Sequence, residues 1–591
     1  MKELSLKNDA LVLKVKELLK LKDEELEKAL AEYKFEELME LVLSCPWEER
    51  HRLILLSPFT EGVVKNLPYQ ELFLTLKASS LDVAVELLSY AKATQIQFFF
   101  DIDGWYKDRI KPERVASWIT LLFEAGEDKV LEWLTVADWD FLVAVLQKFI
   151  RVYKRPDDVE LIEALDYLPP YTLDDFYFIE FKVEALQFYF KRIIEIVREM
   201  LPELYMPLME SIIWEIPAEV EERAYRWRNG RLADAGIPEY FEALDIYSIA
   251  HPKRLRKVEL VYLGEEEEEI SINVLLPVKT EEELLIYRVL PSIRDPFQLN
   301  RIKKEIAWVA NKVIVVDNVV IDDIEQIYKS LEKVWGGLNL GLEYIAREDE
   351  ALAKEALETY FLEDIFKTGQ TLLRELRRLA FELTKNSEPS VFRYLDQPYQ
   401  GYLQGILVKK LNQIKLFNPQ KIGTAEEYTF FKKIKEVRLV RRHLEEAGYM
   451  APLIQKVFGS PLAWLTEVNK QHRNFDARFL TWSSLILTAT AQWSLSKEFK
   501  FKAIPARKWK EVLKFFFEAT KEGIKLKSQV KDKLLENFRA LARTEWYLEE
   551  DLLLSFINFV LNKLEAEFKD IDLSEPPDPK YQTLILVDLK N

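Results

Sequence analysis

CPWEERHRLILLS (45–57) and LPYQELFLTLKAS (67–79) carry one pattern twice. Each has a Pro near its start, passes through acidic or polar residues and ends in an apolar run. KATQIQFFFDI (92–102), KPERVASWITLLF (111–123) and ADWDFLVAVLQKF (137–149) repeat it, on a beat of roughly 22–25 residues. Pro suits the first helical turn, where its missing N–H loses no bond, and acidic residues suit the positive helix end. Shorter apolar segments, LDVAVELLSYA (81–91) and DKVLEWLTVA (128–137), fall between. A unit this short cannot bury its own apolar face and must stack on its neighbours. Residues 36–150 are therefore predicted to form paired helices in a right-handed α-solenoid.

Outward from that array, residues 1–34 read as one or two amphipathic helices. Residues 151–180, with Pro156, Pro169, Pro170 and a cluster of Asp, read as a connection holding a short helix. Helices resume over 181–248, with Gly230 read as a C-terminal cap. Residues 257–290 change period, and KVELVYLGEEEEEISINVLLPV (257–278) within them alternates apolar and polar residues around an acidic turn, the mark of a β-hairpin over 257–290. VIVVDNVVI (313–321) and TLILVDL (583–589) are the other strand candidates, the second docking as an extended tail. Residues 322–385 and 426–570 read as helical, and 386–425 as loop-rich. The expected fold is mostly α: N-terminal solenoid-like repeats, then further helical domains with a small hairpin insertion. The expected division is 1–150, 151–250, 251–390 and 391–591. Residues 479–496, FLTWSSLILTATAQWSLS, carry no charge, but their Ser, Thr and Gln content favours a helix buried in protein over one in a bilayer.

The chain has 591 residues, 49% hydrophobic, which excludes a disordered class. One cysteine, Cys45, excludes a disulfide framework and a cysteine-rich metal site. The four histidines are scattered, and no apolar signal core follows the N-terminus. These features fit a prokaryotic cytoplasm, and the high Lys and Glu content leans toward a thermophile. Residues 1–250 hold 30 Lys+Arg against 48 Asp+Glu, so they carry −18 of a total −17. That balance argues against general nucleic-acid binding.

No GxxxxGK[ST], GxGxxG, GxSxG or HExxH occurs, and no cofactor is expected. Three polar clusters remain. Asp101 and Asp103 in FFFDIDGWYKD, with Asp108 nearby, read as a cap on the helix or turn at Gly104 or, in a non-helical stretch, as paired Mg²⁺ ligands. Arg226, Arg228 and Arg231 in YRWRNGRLAD read as locally paired with Glu222 and Asp234, or as a grip on an anion or partner, with Trp227 anchored in a core. His472 in NKQHRNFDARF reads as an exposed histidine before an acid–base residue.

TQIQFFFDIDGWYKDRIKPERVASWITLLFEAGEDKVLEWL (94–134), LPPYTLDDFYFIEF (168–181) and YRWRNGRLADAGIPEYFEALDIY (225–247) resemble an uncharacterised bacterial family, a domain of unknown function, over most of the chain. That resemblance implies no activity and no site. Residues 36–150 are also similar, in period and in acidic-then-apolar order, to the helical repeats of magnesium-transporter N-terminal and flagellar motor switch domains. That similarity implies an interaction or sensing module. The leading expectation is a non-enzymatic cytoplasmic scaffold that binds a protein partner. The alternative is an enzyme or ligand-binding protein with a site between the repeats and the C-terminal helical domain.

Overall fold

A computed structural model describes residues 11, 13–258, 284–319, 323–385, 388–520, 523–542, 549–569, 571, 573, 575 and 577–590. The described residues are mostly helical, with a few short strands. They divide into two compact units, residues 1–338 with 345–367, and residues 339–344 with 368–591.

In the first unit each repeat window forms a helix: Trp47–Leu55, Tyr69–Ala78, Ala93–Asp103, Pro112–Ala125 and Trp139–Phe149. Their caps are Pro46, Pro68, Lys92, Lys111 and Asp138. Counted from the cap, the positions four, seven and eight residues on are buried in all five. They are Arg50, Leu53, Ile54; Leu72, Thr75, Leu76; Ile96, Phe99, Phe100; Val115, Trp118, Ile119; and Leu142, Val145, Leu146. This spacing places them on one helical face. Neighbouring faces interlock through rings: Phe99 stacks on Trp118 at 5.3 Å and Phe100 on Trp133 at 4.6 Å. Where the register places a charge inside, the next helix answers it. Arg50, 0% exposed, donates to Glu71 at 2.6 Å and to Thr75 at 3.4 Å. Cys45 lies in the same core, and burial pushes its thiol up to about 12.

Several expectations need correction. Residues 150–181 are more than a connection. Ile150–Lys154 pairs antiparallel with Tyr177–Phe181, which also pairs with Tyr171–Thr172. The short helix Leu161–Ala164 lies between, as expected. The Asp cluster makes the turn: Asp174 accepts from the Phe176 and Tyr177 N–H groups and feeds the chain into its strand. Residues 313–317 are helical, the end of Pro296–Asp317, closed by left-handed Asn318. Their β-branched residues continue a buried stripe through Ile302, Ile306, Val309 and Val313, and packing overrides propensity. Gly230 lies inside the helix Pro217–Asp234, which ends instead near Gly236 at φ +78°. Within 386–425 the structure holds a helix, Tyr399–Ile406, whose Gly401 sits where a Cβ would meet the Phe417 ring. Of the hairpin expected at 257–290, residues 259–283 lie outside the described residues, and its end is helical instead, Leu285–Val289, with Leu285, Ile286 and Val289 buried on one face.

In the second unit the uncharged run 479–496 forms the helix Trp482–Ser496, and Trp482 through Ala491 are all buried. Among the described residues no helix is long and apolar enough to cross a membrane. Val587–Asp588 pairs in parallel with Ile504–Pro505, so the tail docks as an extended strand.

Candidate functional site on the helix Pro217–Asp234

The three arginines belong to one continuous helix that begins at Pro217 and buries Val220, Glu221, Ala224 and Leu232. They do different things. Arg231 reaches the helix Ala93–Asp103 and grips Asp101 with two bonds, Nε to Oδ2 at 2.7 Å and Nη2 to Oδ1 at 2.9 Å. Its Nη1 donates to Asp138 at 2.9 Å. Asp138 also caps the fifth repeat helix by accepting from the Phe141 N–H at 2.8 Å. Arg228 donates from Nε to the Asp101 main-chain oxygen at 2.6 Å and lies over the rings of Trp105 and Tyr225. Arg226 pairs with Glu222 at 2.7 Å in solvent.

Asp101, 1% exposed, completes a buried chain of bonds: Trp133 donates to Gln97, and Gln97 to Asp101 at 3.1 Å. Burial pushes the Asp101 carboxyl up, although Arg231, Gln97 and Arg228 pull the other way. Burial pulls Arg228 down to about 10, against the attraction of Asp101. Arg231 is opposed by burial too, yet Asp101 and Asp138 hold its proton more firmly than usual. Glu221 behaves oppositely to Asp101. Burial works to raise its carboxyl, but the Ile110 N–H, Lys148 and Arg109 hold it below the ordinary range.

The expected partners were only partly right. Arg226 does pair with Glu222, whereas Arg231 turns away from Asp234 toward Asp101 and Asp138. The stretch expected to be non-helical is the end of the helix Ala93–Asp103, with Gly104 as its C-cap, and Asp101 and Asp103 end in different networks rather than capping it. Asp103 accepts from Lys77 at 2.7 Å and from the Trp118 indole at 2.9 Å. Among the described residues no group of three or more His, Cys, Asp or Glu is placed to hold a metal ion. Trp227 is not a core anchor: it is 63% exposed. His472 is exposed, at φ +67°, with its carbonyl accepting from the Leu589 N–H.

A family model described as a family of unknown function (DUF6178) matches residues 27–588. The chain belongs to that family. Among curated proteins and among solved structures, none matches it.

Two further polar clusters of this DUF6178 chain were not anticipated from its residues. In the first unit Lys312 pairs with Glu363 at 3.2 Å, and Lys367 pairs with Glu363 at 2.7 Å and with Asp245. Lys333 pairs with Asp317 at 2.6 Å, and Arg256 holds Asp364 both through its main-chain N–H, at 2.8 Å, and through its guanidinium, at 2.6 Å. The available signal was a lysine inside an apolar stripe, as Lys312 beside Val309 and Val313. In the second unit the buried Asp396 accepts from Lys563 at 2.7 Å and from the Ser483 N–H at 2.9 Å. Nearby, Tyr399 donates to Glu446 at 2.6 Å. In both clusters every carboxylate named has a cation or hydroxyl donor, and that is the chemistry of structural ties between helices.

Proposed function

We propose that the chain is a non-enzymatic helical scaffold, working in the cytoplasm, that binds a positively charged protein partner. The observation that carries the reading is charge. Residues 1–250 bear −18, while the arginines that looked free to bind an anion are engaged within the fold. An excess of exposed carboxylates on packed short helices attracts a basic partner and steers its approach. The repeat register supports an array of the solenoid kind, which suits extended protein contacts. The period that residues 36–150 share with magnesium-transporter and motor switch repeats points the same way. The single, buried Cys45 accords with a reducing compartment.

The test is cross-linked affinity purification of the full chain from its source organism, followed by calorimetric titration with each recovered protein after purification. The reading expects a basic partner whose affinity falls steeply as salt rises. Recovery of no direct binder, or of one whose affinity ignores salt, contradicts it.

A further inference from the structure

The two units divide the charge of the chain unequally. The first holds 46 Lys+Arg against 71 Asp+Glu, or −25, and the second 37 against 29, or +8. Within the second, residues 371–385 and 408–446 alone hold 14 Lys+Arg against 7 Asp+Glu. The fold gathers them. The helices Leu362–Lys385 and Ile434–Phe458 run side by side and parallel: Arg441 pairs with Glu375 at 3.8 Å, and two turns on a Cβ at Gly448 would meet the Leu383 side chain. On the solvent side one helix carries Arg374, Arg378 and Lys385, the other Lys435, Arg438 and Arg442. Their steps of three, four and seven residues draw a row along each helix. Arg377 extends the face. It lies over the Phe381 ring and donates to the Val408 and Lys409 main-chain oxygens, at 2.6 and 3.3 Å, which holds the exposed Lys409 and Lys410 beside the first row.

Among the described residues no carboxylate pairs with Lys409, Lys410 or Lys435. The pairs Arg378–Glu382 and Arg441–Glu375 are 3.8 Å long and in solvent, a kind that contributes little and exchanges readily for another anion. What else the face carries decides which anion fits. A protein partner needs an apolar centre for its anchors. A single nucleic-acid strand needs exposed rings on which its bases stack. Here the exposed large apolar side chains of both segments are Phe381, which Arg377 covers, Ile422 and Leu439. A duplex asks for neither, and offers about one phosphate per 1.7 Å of its axis. We propose that this face of the second unit binds the backbone of double-stranded DNA, without regard to sequence, through Arg378, Lys409, Lys410, Lys435, Arg438 and Arg442. The guanidinium fork suits phosphate oxygens. The total of −17 does not oppose this, because physiological salt screens charges beyond about 8 Å and a phosphate meets the local surface.

The test titrates the full-length chain into labelled DNA duplexes of about 20 base pairs and reads fluorescence anisotropy between about 50 and 200 mM salt. Two unrelated sequences should bind equally, with log affinity falling against log salt at a slope of about −5, as six phosphate contacts give. Replacing Lys409, Lys410 and Lys435 together by Gln should reduce that slope by about three and weaken binding at least about tenfold at the lower salt. The same charge removed from another lysine-rich stretch of this unit, by Lys500→Gln, Lys502→Gln and Arg507→Gln, should change neither. Absence of binding at about 50 mM salt overturns the proposal, whether or not vesicles rich in phosphatidylserine bind instead. A control variant that loses as much as the face variant overturns it, because the contact then lies elsewhere. Polyglutamate that displaces the duplex at equal charge overturns it as well, because the face then takes an acidic protein.

Discussion

The two faces of the helix Pro217–Asp234 are built for different work. The inward face holds Val220, Glu221 and Ala224, and from it Arg228 and Arg231 reach polar partners more than a hundred residues away in sequence. The outward face holds the exposed Trp227, Gly230 and Ala233. Substitutions should therefore separate: inward ones lower stability, and outward ones leave it unchanged or raise it slightly.

The largest effect is expected inside. Arg231→Leu leaves Asp101 buried with one fewer cation and should lower the urea unfolding free energy by about 3 kcal/mol, the lower end for a buried pair because Arg231 is partly exposed. Adding Asp101→Leu should recover much of that loss, since the stranded carboxylate goes with it. A double variant no more stable than Arg231→Leu would mean the two residues are not coupled.

Acid separates two inward carboxylates by sign. Asp101 has a folded-state pKa above its unfolded value, so the native state takes up its proton first. Its contribution therefore falls as pH rises from the ordinary carboxylate pKa through the raised one. Glu221 is lowered, so its contribution is present above the ordinary value and is lost as pH falls through the folded one. Urea midpoints between about pH 3 and 6 should show Asp101→Asn removing a loss on the alkaline side and Glu221→Gln removing one on the acid side. Parallel profiles for the two variants would refute the assignment.

Two buried charges show what the residues alone could reveal. Arg50 occupies the fourth position after its cap, a core position in all five repeat helices, and its partners Glu71 and Thr75 sit on the next helix of the array. Aligning the windows makes that pairing legible. Asp101 lies nine residues after its cap, outside that register, and its cation comes from 130 positions along the chain. Long-range pairing of this kind leaves no local spacing to read, so Arg231 looked free or tied to Asp234. The sheet at 150–181 was hidden for a related reason. Its prolines and aspartates signal turns, and Tyr177, Phe178 and Ile179 are all buried, so the strand shows no alternation.

Outward substitutions should be mild for folding. Gly230→Ala removes the glycine penalty and should raise stability by about 0.5–1 kcal/mol, since a Cβ there meets nothing within 4 Å. Trp227→Ala should stay within about 0.5 kcal/mol of the natural protein. Arg226→Ala, which breaks only a solvent-exposed pair, should leave the melting temperature unchanged by calorimetry.

The division of labour is tested most directly by the urea unfolding midpoints of Arg231→Leu and Gly230→Leu beside that of the natural chain. Arg231→Leu should unfold well before the natural protein, because it strands the buried Asp101, whereas Gly230→Leu should unfold no earlier, because a Cβ at 230 meets nothing within 4 Å. An Arg231→Leu chain as stable as the natural one, or a Gly230→Leu chain that unfolds early, would contradict the separation of the two faces.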